Sequence, residues 1–526
     1  MGKPVEHQGT TSDTARENVP NDKSAGWTWG LRALGVVAGI AIFLALGGSD
    51  LSTDARAVAG IATLMAVWWI TEAIPLSATS LLPIVLLPAL TATSVSEATA
   101  PYASPIVLLF LGGFLIAIAM EKWELHRRIA LLTLLRVGVA PQRIVLGMMI
   151  ATGFLSMWVS NTATTLMMLP IGLSVLTLVV ERTSTRQSGD EVVDALDTGP
   201  ISEVVADPNI KAFGVCLTLA IAWSASMGGL GTLLGSPPNA IVAGYASDEL
   251  GIDIGFLEWM LIGLPIAVIF IFLGWLLMTR VLFRFDLDEI PGGRDMIRNQ
   301  LHELGPVSQG ERMVALVFGG AAFLWVVPGL LSGIPGLAFL DVLDDTAIAI
   351  GAGIVLFLLP AKGSGTMVLE WRDAEDGLPW GVLLLFGGGL SLAAAVASTG
   401  LDAWFGQQVT GLAVLPTFLL IGAVVLIVLF LTEITSNTAT AATFIPVLGG
   451  VAIGIGAEPM MLLVPAAMAA TCAFMLPVGT PPNAIVFGTG HVTIREMVRG
   501  GLVLNLVGVI LITVIFYLIG PLVLDL

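Results

Sequence analysis

Apolar windows long enough to cross a bilayer follow one another along almost the whole chain from Leu31 onward. A membrane-spanning helix needs about 20 mostly apolar residues. We therefore predict an all-α polytopic membrane protein with about eleven transmembrane helices and two further apolar stretches, each interrupted at its centre. The predicted spans are 31–47, 57–71, 74–92, 105–120, 212–246, 256–280, 313–332, 342–360, 380–397, 459–490 and 500–523, and the interrupted stretches are 143–180 and 412–455.

Each interrupted stretch carries one run of small polar residues. The run SNTATT begins at Ser160, and SNTATA begins at Ser436. Ser, Asn and Thr are strong helix N-caps, so each run predicts a helix that starts inside the membrane. We expect each stretch to enter and leave on the same side of the membrane, either as a re-entrant hairpin or as two full crossings.

A second pair of motifs, PPN, begins at Pro237 and Pro481. Proline at the first helical position costs no hydrogen bond, so each motif can break one helix and start another. Irregular backbone at membrane depth survives only when it is buried in protein or lines a cavity. Four helix N-termini would then meet near the bilayer midplane, each with about half a positive elementary charge. Their sum suits a dianion.

These motifs belong to two copies of one unit. The segment LLFLGGFLIAIAM at 108–120 matches LLLFGGGLSLAAAV at 384–397, and the spacing from these helices to the SNT runs is equal in both copies. The first helix is followed by the basic segment EKWELHRR, whereas no Lys or Arg follows the second closely. The copies are therefore expected to have inverted orientations, and inverted repeats with broken helices at the midplane are typical of secondary transporters.

Charge fixes the expected orientation and excludes other classes of protein. The net charge of −17 is unsuited to nucleic-acid binding. Two cysteines and four scattered histidines predict neither a disulfide framework nor a zinc site. Because cytoplasmic loops retain Lys and Arg, the basic residues predict a cytoplasmic N-terminus and an extracytoplasmic C-terminus, in a multi-pass protein of the inner (cell) membrane.

At these motifs the chain resembles the divalent anion/Na⁺ symporter (DASS) family, which includes Na⁺-coupled dicarboxylate and citrate transporters. The resemblance extends from about Leu31 to the C-terminus. It implies a homodimer that works as an elevator, in which a fixed scaffold holds the dimer contact and a transport domain with both re-entrant hairpins slides across the membrane. The matching stretches are SMWVSNTATTLMMLP (156–170), SASMGGLGTLLGSPPN (224–239), TEITSNTATAATFIP (432–446) and MLPVGTPPNAIVFG (475–488), with ITEAIPLSATSLLP (70–83) as a supporting match.

The domain organisation expected from the motifs and the resemblance alternates between scaffold and transport domain. Its parts are a disordered cytoplasmic tail at 1–26, scaffold at 27–138, transport domain at 139–282, a cytoplasmic linker at 283–311, scaffold at 312–411 and transport domain at 412–526. The amphipathic segment 121–138 is expected to lie at the interface and to brace the scaffold.

The resemblance also implies the residues of the site. One Na⁺ site would use Ser156, Ser160, Asn161 and the carbonyl of Gly235, and a second would use Thr432, Thr435, Asn437 and the carbonyl of Gly479. Substrate carboxylates would contact Asn161, Thr162, Asn437 and Thr438, with Ser236, Pro237, Thr480 and Pro481 shaping the pocket. At position 236 the chain has Ser where the family often has Thr. We therefore do not assign one named substrate from the resemblance.

Two acidic residues need a separate interpretation, because ionisable groups at membrane depth are functional candidates. Glu433 lies four residues before Asn437, and Glu72 lies at a predicted short turn. We expect structural hydrogen bonding for both, with proton coupling as the alternative for Glu433.

The expected function is import of di- or tricarboxylates of the succinate, malate or fumarate type, coupled to Na⁺ as the co-transported ion and without an organic cofactor. A Na⁺-independent exchanger or a sulfate transporter would share this architecture. A channel is the next alternative, because paired Asn-Thr-Ala runs resemble the paired Asn-Pro-Ala runs of water channels. An enzyme is not expected, since the chain has no HExxH motif and no paired intramembrane aspartates.

Overall fold

The structure is a computed structural model, and the chain is helical in the part that it describes, apart from one short strand pair. The described residues are 25–183, 207–287, 292–331, 344–362, 365–408, 411, 414–524 and 526. The predicted tail at 1–26 therefore lies almost wholly outside the described residues, as do residues 288–291 of the predicted linker.

In the first half of the chain the apolar stretches form helices whose starts are fixed by local caps. Ser52 accepts a hydrogen bond from the Ala55 amide at the start of one helix, and Ser94 and Glu97 form a reciprocal capping box at another. The helices are α1 (Ala25–Ala45), α2 (Thr53–Thr71), α3 (Leu76–Thr79), α4 (Leu82–Leu90), α5 (Val95–Thr99), α6 (Pro105–Lys122), α7 (Leu125–Val137), α8 (Pro141–Ser156), α9 (Asn161–Thr183), α10 (Pro208–Gly228), α11 (Pro237–Leu250) and α12 (Phe256–Leu277).

The second half follows the same pattern, and a second capping box joins Thr493 and Glu496 at the start of its last helix. Strands β1 (Pro360–Lys362) and β2 (Thr366–Met367) form a small antiparallel pair. The helices are α13 (Gly293–Glu303), α14 (Gln309–Leu331), α15 (Asp345–Leu358), α16 (Trp371–Gly377), α17 (Trp380–Ser398), α18 (Leu401–Gln408), α19 (Thr417–Thr432), α20 (Asn437–Gly454), α21 (Met460–Thr471), α22 (Pro481–Gly488) and α23 (Ile494–Val523).

The helices have the length and composition of a membrane protein. Within the described ranges, nine are long and apolar enough to cross a bilayer, and four shorter apolar stretches accompany them. Large apolar side chains such as Leu316, Phe323 and Ile510 are exposed on outward faces. A lipid environment solvates such faces, so this is an integral polytopic helical protein, as the hydrophobic pattern predicts.

The centre of the bundle is occupied by α10 and α21. Every residue of α10 from Phe213 to Gly228 is buried, and so is every residue of α21. Four alanines in α21 let neighbouring helices approach closely. Both helices end at chain breaks, α10 at Gly228 and α21 at Thr471, so both breaks lie deep inside the protein.

Helix α7, which was predicted as an amphipathic interfacial helix, is tied to the second half of the chain. Arg128 on α7 pairs with the nearly buried carboxylate of Glu311 at the start of α14, with 2.5 Å between Nε and Oε1. Just before α7, the indole of Trp123 donates to the Val368 carbonyl at 2.8 Å. The predicted linker also contains α13, a short helix that the sequence pattern did not predict.

Helices α8 and α10 cross at two glycines. A Cβ atom on Gly228 would collide with the carbonyl and Cα of Gly153, so the two backbones are in direct contact there. The crossing lies one residue before the break after α10 and three residues before Ser156. This packing sets the distance between the end of α8 and the end of α10, which both contribute to the candidate site.

We expect Gly228→Ala to destabilise the protein by about 1–3 kcal/mol, the usual cost of overpacking. Gly320→Ala is the matched control, because that helical position on α14 has no atom within 4 Å of the added Cβ. Thermal unfolding in detergent measures both variants. Equal melting temperatures for the two variants would contradict the close crossing.

Candidate functional site

The first chain break joins the end of α8, the start of α9 and the loop after α10. Residues 157–160 separate α8 from α9, which begins at Asn161 as the SNT motif predicts. The side-chain amide of Asn161 lies 3.1 Å from the carbonyl oxygens of Ala225 and Gly235 and 2.5 Å from Ser156 Oγ. These groups form what we call the first oxygen cluster.

The second chain break repeats this arrangement between α19, α20 and the loop after α21. Helix α20 begins at Asn437, again at the SNT motif. The Asn437 amide lies 3.0 Å from the carbonyl oxygens of Ala470 and Gly479 and 2.8 Å from Thr432 Oγ1. These groups form the second oxygen cluster, in which each member has a counterpart in the first.

Both asparagines meet only oxygen acceptors on one side of the amide. If the amide nitrogen faces inward, it donates to these oxygens. If the amide oxygen faces inward, it accepts from the hydroxyl of Ser156 or Thr432 and meets the two carbonyl oxygens of the cluster with no donor between them. A cation between the oxygens stabilises the second orientation. Each cluster is therefore chemically able to bind a hard cation through carbonyl, hydroxyl and amide oxygens.

The loops that supply the carbonyls are held by the asparagines of the PPN motifs. The side chain of Asn239 donates to the carbonyls of Gly229 at 2.9 Å and Thr232 at 2.8 Å, respectively 10 and 7 residues upstream. The side chain of Asn483 donates across the same offsets of 10 and 7 residues, to Ala473 and Leu476, at 3.0 Å each. The asparagine of each motif thus donates hydrogen bonds to backbone carbonyls beside the broken helix. This role was not predicted from the sequence.

The two breaks contact each other in the core. The hydroxyls of Ser236 and Thr471 are 2.9 Å apart, and both residues are buried. Within the second break, the amide of Asn437 lies 3.4 Å from the carbonyl of the same Thr471. Helix α11 packs against α20 and α21, and α22 packs against α9 and α10. The helices that follow the PPN motifs therefore each pack against the opposite half of the chain.

The remaining predicted residues lie in the same region but make other contacts. Ser160 accepts from the Ala163 amide at 3.2 Å, and Thr435 Oγ1 bonds to Thr440 Oγ1 and the Leu431 carbonyl, so neither hydroxyl hydrogen-bonds within a cluster. Thr480 is buried and caps α22. The half-buried or exposed residues at the helix starts are Thr162, Pro237, Thr438 and Pro481.

Glu433 anchors the second break. Its Oε1 accepts hydrogen bonds from the backbone amides of Phe474 and Met475, and its Oε2 accepts from those of Met475 and Leu476. Oε1 also accepts from Asn505 Nδ2 at 2.6 Å. All of these partners are donors, so both oxygens of the Glu433 side chain act as acceptors. This geometry supports the predicted structural role of Glu433.

Glu72 stands apart from this network. It ends α2 in a left-handed conformation with φ of 49°, and its side chain is exposed. Its expected structural hydrogen bond stays a prediction.

The breaks hold no fixed positive charge. No Lys or Arg occurs in 156–170, 224–239, 432–446 or 472–488. Helices α9, α11, α20 and α22 all begin at the breaks, so backbone N–H groups are the available positive ends of dipoles.

Paired helix breaks inside an apolar bundle, with oxygen clusters and uncharged helix starts, define the class of polytopic membrane transporters. The chain belongs to the family described as the sodium:sulfate symporter transmembrane region, whose model matches residues 27–525. The predicted family is thereby confirmed, and it is a family of symporters rather than of enzymes.

Curated relatives cover most of the chain. A sodium-dependent dicarboxylate transporter, SdcS, of Staphylococcus saprophyticus is 43% identical over 474 residues, which is 90% of this chain and 87% of that protein. SdcS of Staphylococcus aureus strain USA300 is 40% identical over 503 residues, which is 95% of this chain and 92% of that protein.

Two solved transporters share the fold at low sequence identity. The YdaH transporter of Alcanivorax borkumensis matches with a TM-score of 0.55 and 15% identity, covering 87% of this chain and 98% of that chain. MtrF of Neisseria gonorrhoeae matches with a TM-score of 0.55 and 12% identity, covering 90% of this chain and 96% of that chain.

We expect Glu433→Gln to destabilise the second break, because one oxygen acceptor becomes an NH₂ donor that faces backbone N–H groups. Each buried donor left without a partner costs about 1–3 kcal/mol. Thermal unfolding, with and without Na⁺, measures the loss. Glu72→Gln is the control with the same change of charge at an exposed position, and equal stability of both variants would contradict the anchoring role.

Proposed function

We propose that this protein imports di- or tricarboxylates of the succinate, malate or fumarate type in symport with Na⁺. The observation that carries the proposal is the pair of matching oxygen clusters beside four helix starts. The names of the relatives, sodium-dependent dicarboxylate transporters at 40–43% identity, support the same substrate class and co-ion.

In this proposal each oxygen cluster binds one Na⁺. The first site uses Ser156, Ser160, Asn161 and the Gly235 carbonyl, and the second uses Thr432, Thr435, Asn437 and the Gly479 carbonyl. The carbonyls of Ala225 and Ala470 lie equally close to the two asparagines and join them as ligands. Hard, uncharged oxygen ligands of this kind suit Na⁺ at broken membrane helices.

The substrate carboxylates bind between the two sites. Asn161, Thr162, Asn437 and Thr438 donate hydrogen bonds from the starts of α9 and α20, and Ser236, Pro237, Thr480 and Pro481 shape the rest of the pocket. The hydrogen bond between Ser236 and Thr471 supports this arrangement, because it brings the two breaks within reach of one small dianion. Bound Na⁺ offsets the charge of the anion beside it, which couples the two.

The proposed topology has eleven spanning segments and two re-entrant hairpins, α8 with α9 and α19 with α20, in two inverted repeats with broken helices at the midplane. The equal offsets of the Asn239 and Asn483 hydrogen bonds support the duplication. The basic residues support a cytoplasmic N-terminus and an extracytoplasmic C-terminus in the cell membrane.

The proposed mechanism is an elevator in a homodimer. Residues 27–138 and 312–411 form the scaffold, and residues 139–282 and 412–526 form the transport domain, with 283–311 as the linker. The hydrogen bond from the Trp123 indole to the Val368 carbonyl supports the scaffold assignment, because it joins the two scaffold segments across the two halves of the chain.

We expect uptake of labelled succinate into proteoliposomes to require an inward Na⁺ gradient and to proceed against the succinate gradient without internal dicarboxylate. Replacing Na⁺ by K⁺ is the control and abolishes uptake. Uptake that needs preloading but ignores Na⁺ would identify an exchanger instead. Sulfate uptake without succinate uptake would identify a sulfate transporter of the same fold, and uptake without accumulation would identify a channel.

We expect Asn161→Ala and Asn437→Ala each to weaken both Na⁺ and succinate dependence of uptake by about tenfold or more, because a hydrogen bond to a charged group contributes about 1.5–3 kcal/mol. Asn299→Ala, at an exposed position on α13, is the matched control and leaves both affinities unchanged. Unaltered affinities in either cluster variant would overturn the assignment of that cluster.

A further inference from the structure

A large cavity lies outside the candidate site, where α7, α8 and α13 meet. Its volume is about 730 Å³, and it is lined by the end of α7, the turn 138–140 and the start of α13. Ligand pockets in proteins typically measure about 300–1,000 Å³. The cavity therefore has the size of a binding pocket for a small molecule or a lipid headgroup.

Three arginines from three different elements line this cavity. Arg136 is in the last turn of α7, Arg143 in the first turn of α8 and Arg294 in the first turn of α13. None of them has a carboxylate partner within 4.0 Å in the part of the chain that the structure describes. In a chain with a net charge of −17, a cluster of three unneutralised guanidinium groups is an unusual concentration of positive charge.

The single carboxylate in the lining is already engaged. Asp295 lies 3.6 Å from the guanidinium of Arg298, which is not part of the lining. The three arginines and the one aspartate leave the lining with a formal charge of +2.

One arginine packs against the turn beside it. Gly138 has φ of 111°, and a Cβ atom there would lie 3.3 Å from Arg143 Cδ. The missing side chain at Gly138 lets Arg143 fold back over the turn toward the cavity. Neither α8 nor α13 has a side-chain cap, so their first backbone N–H groups add donors beside the arginines.

We propose that this cavity binds a phosphoryl group, carried either by an anionic lipid headgroup or by a soluble phosphate ester. A phosphoryl group has three strong acceptor oxygens and up to two negative charges, so it can accept from guanidinium groups that converge from three elements. A carboxylate presents only two oxygens in one plane. The cavity lies on the side that the basic residues predict to be cytoplasmic, at the membrane-entering end of α8, where headgroups and soluble esters both have access.

The location of the site assigns it a role in regulating the arrangement of the domains, separate from binding of the transported substrate. Residue 138 ends the proposed first scaffold segment, residue 139 begins the proposed transport domain, and α13 belongs to the proposed linker. A phosphoryl group bound by Arg136, Arg143 and Arg294 crosslinks these three parts and stabilises their present arrangement.

The test is thermal unfolding of the full chain in neutral detergent, in choline buffers of constant ionic strength. One arm adds glycerol 3-phosphate, and another adds dioctanoylphosphatidylglycerol. Glycerol and dioctanoylglycerol, which lack the phosphoryl group, are the ligand controls. A ligand that binds the folded state raises the melting temperature in a saturable way.

Variants connect the shift to the cavity. We expect Arg136→Gln, Arg143→Gln and Arg294→Gln each to weaken the apparent affinity by about tenfold, and the triple variant to lose the saturable shift. Arg127→Gln, which removes an exposed arginine of α7 outside the lining, leaves the affinity unchanged. Asp295→Asn removes the one negative charge of the lining and therefore tightens binding by about two- to fivefold. This variant keeps the test informative even where an arginine variant folds poorly.

A shift in the lipid arm alone assigns the site to a headgroup, and a shift in the soluble arm alone assigns it to a phosphate ester. The proposal is overturned by a wild-type protein that shows no saturable shift in either arm, or by an unchanged shift in the triple variant. It is also overturned if the arginines are needed for a shift by succinate and not by either phosphate. Failure of Na⁺-driven uptake would leave this result unaffected.

Discussion

The bilayer core offers no water to a broken helix, so every backbone group at a break must find another partner. In the first break, Asn239 satisfies the carbonyls of Gly229 and Thr232. In the second, Asn483 satisfies two more carbonyls, and Glu433 accepts from three consecutive backbone amides. Around Asn161 and Asn437, the carbonyls of Ala225 and Ala470 also accept hydrogen bonds, from the Gly229 amide and the Thr432 hydroxyl. The carbonyls of Gly235 and Gly479 are not engaged by Asn239, Asn483 or Glu433, and they lie beside the two asparagines as candidate cation ligands.

The two breaks are built alike but are not electrostatically equal. Glu433 occupies the position four residues before Asn437, and the equivalent position before Asn161 is Met157. The first loop is held instead by the hydroxyl of Thr232, which donates to the Met157 carbonyl. A buried carboxyl group therefore lies near the second oxygen cluster and has no counterpart near the first. In the proposed symporter, a cation at the second cluster lies close to this acidic group, whereas a cation at the first cluster has neutral oxygen ligands alone.

The motifs predicted much of this architecture because their mechanism is local. Proline at the first helical position and the Ser160 cap act within one turn of the helix, and the helices start at Asn161, Pro237, Asn437 and Pro481 as predicted. The proximity of the Ala225 and Ala470 carbonyls to the two asparagines, and the contact between Ser236 and Thr471, could not be predicted, because they depend on how distant segments pack. The short helix α13 was missed for the opposite reason: it is polar and gives no signal in a search for apolar spans.

The absence of arginine and lysine at the breaks is itself a condition for coupling. A fixed positive side chain beside Asn161 or Asn437 would attract an anion whether or not a cation were present, and the anion could then cross alone. Helix starts supply only partial charges of about +0.5 each, which are screened by the surrounding protein. In the proposed symport, a dianion then binds firmly only after cations have entered the neighbouring oxygen clusters. Three guanidinium groups are found instead at the cavity between α7, α8 and α13, away from the breaks. Their separation from the breaks keeps the anion dependent on the ion gradient in the proposed symport.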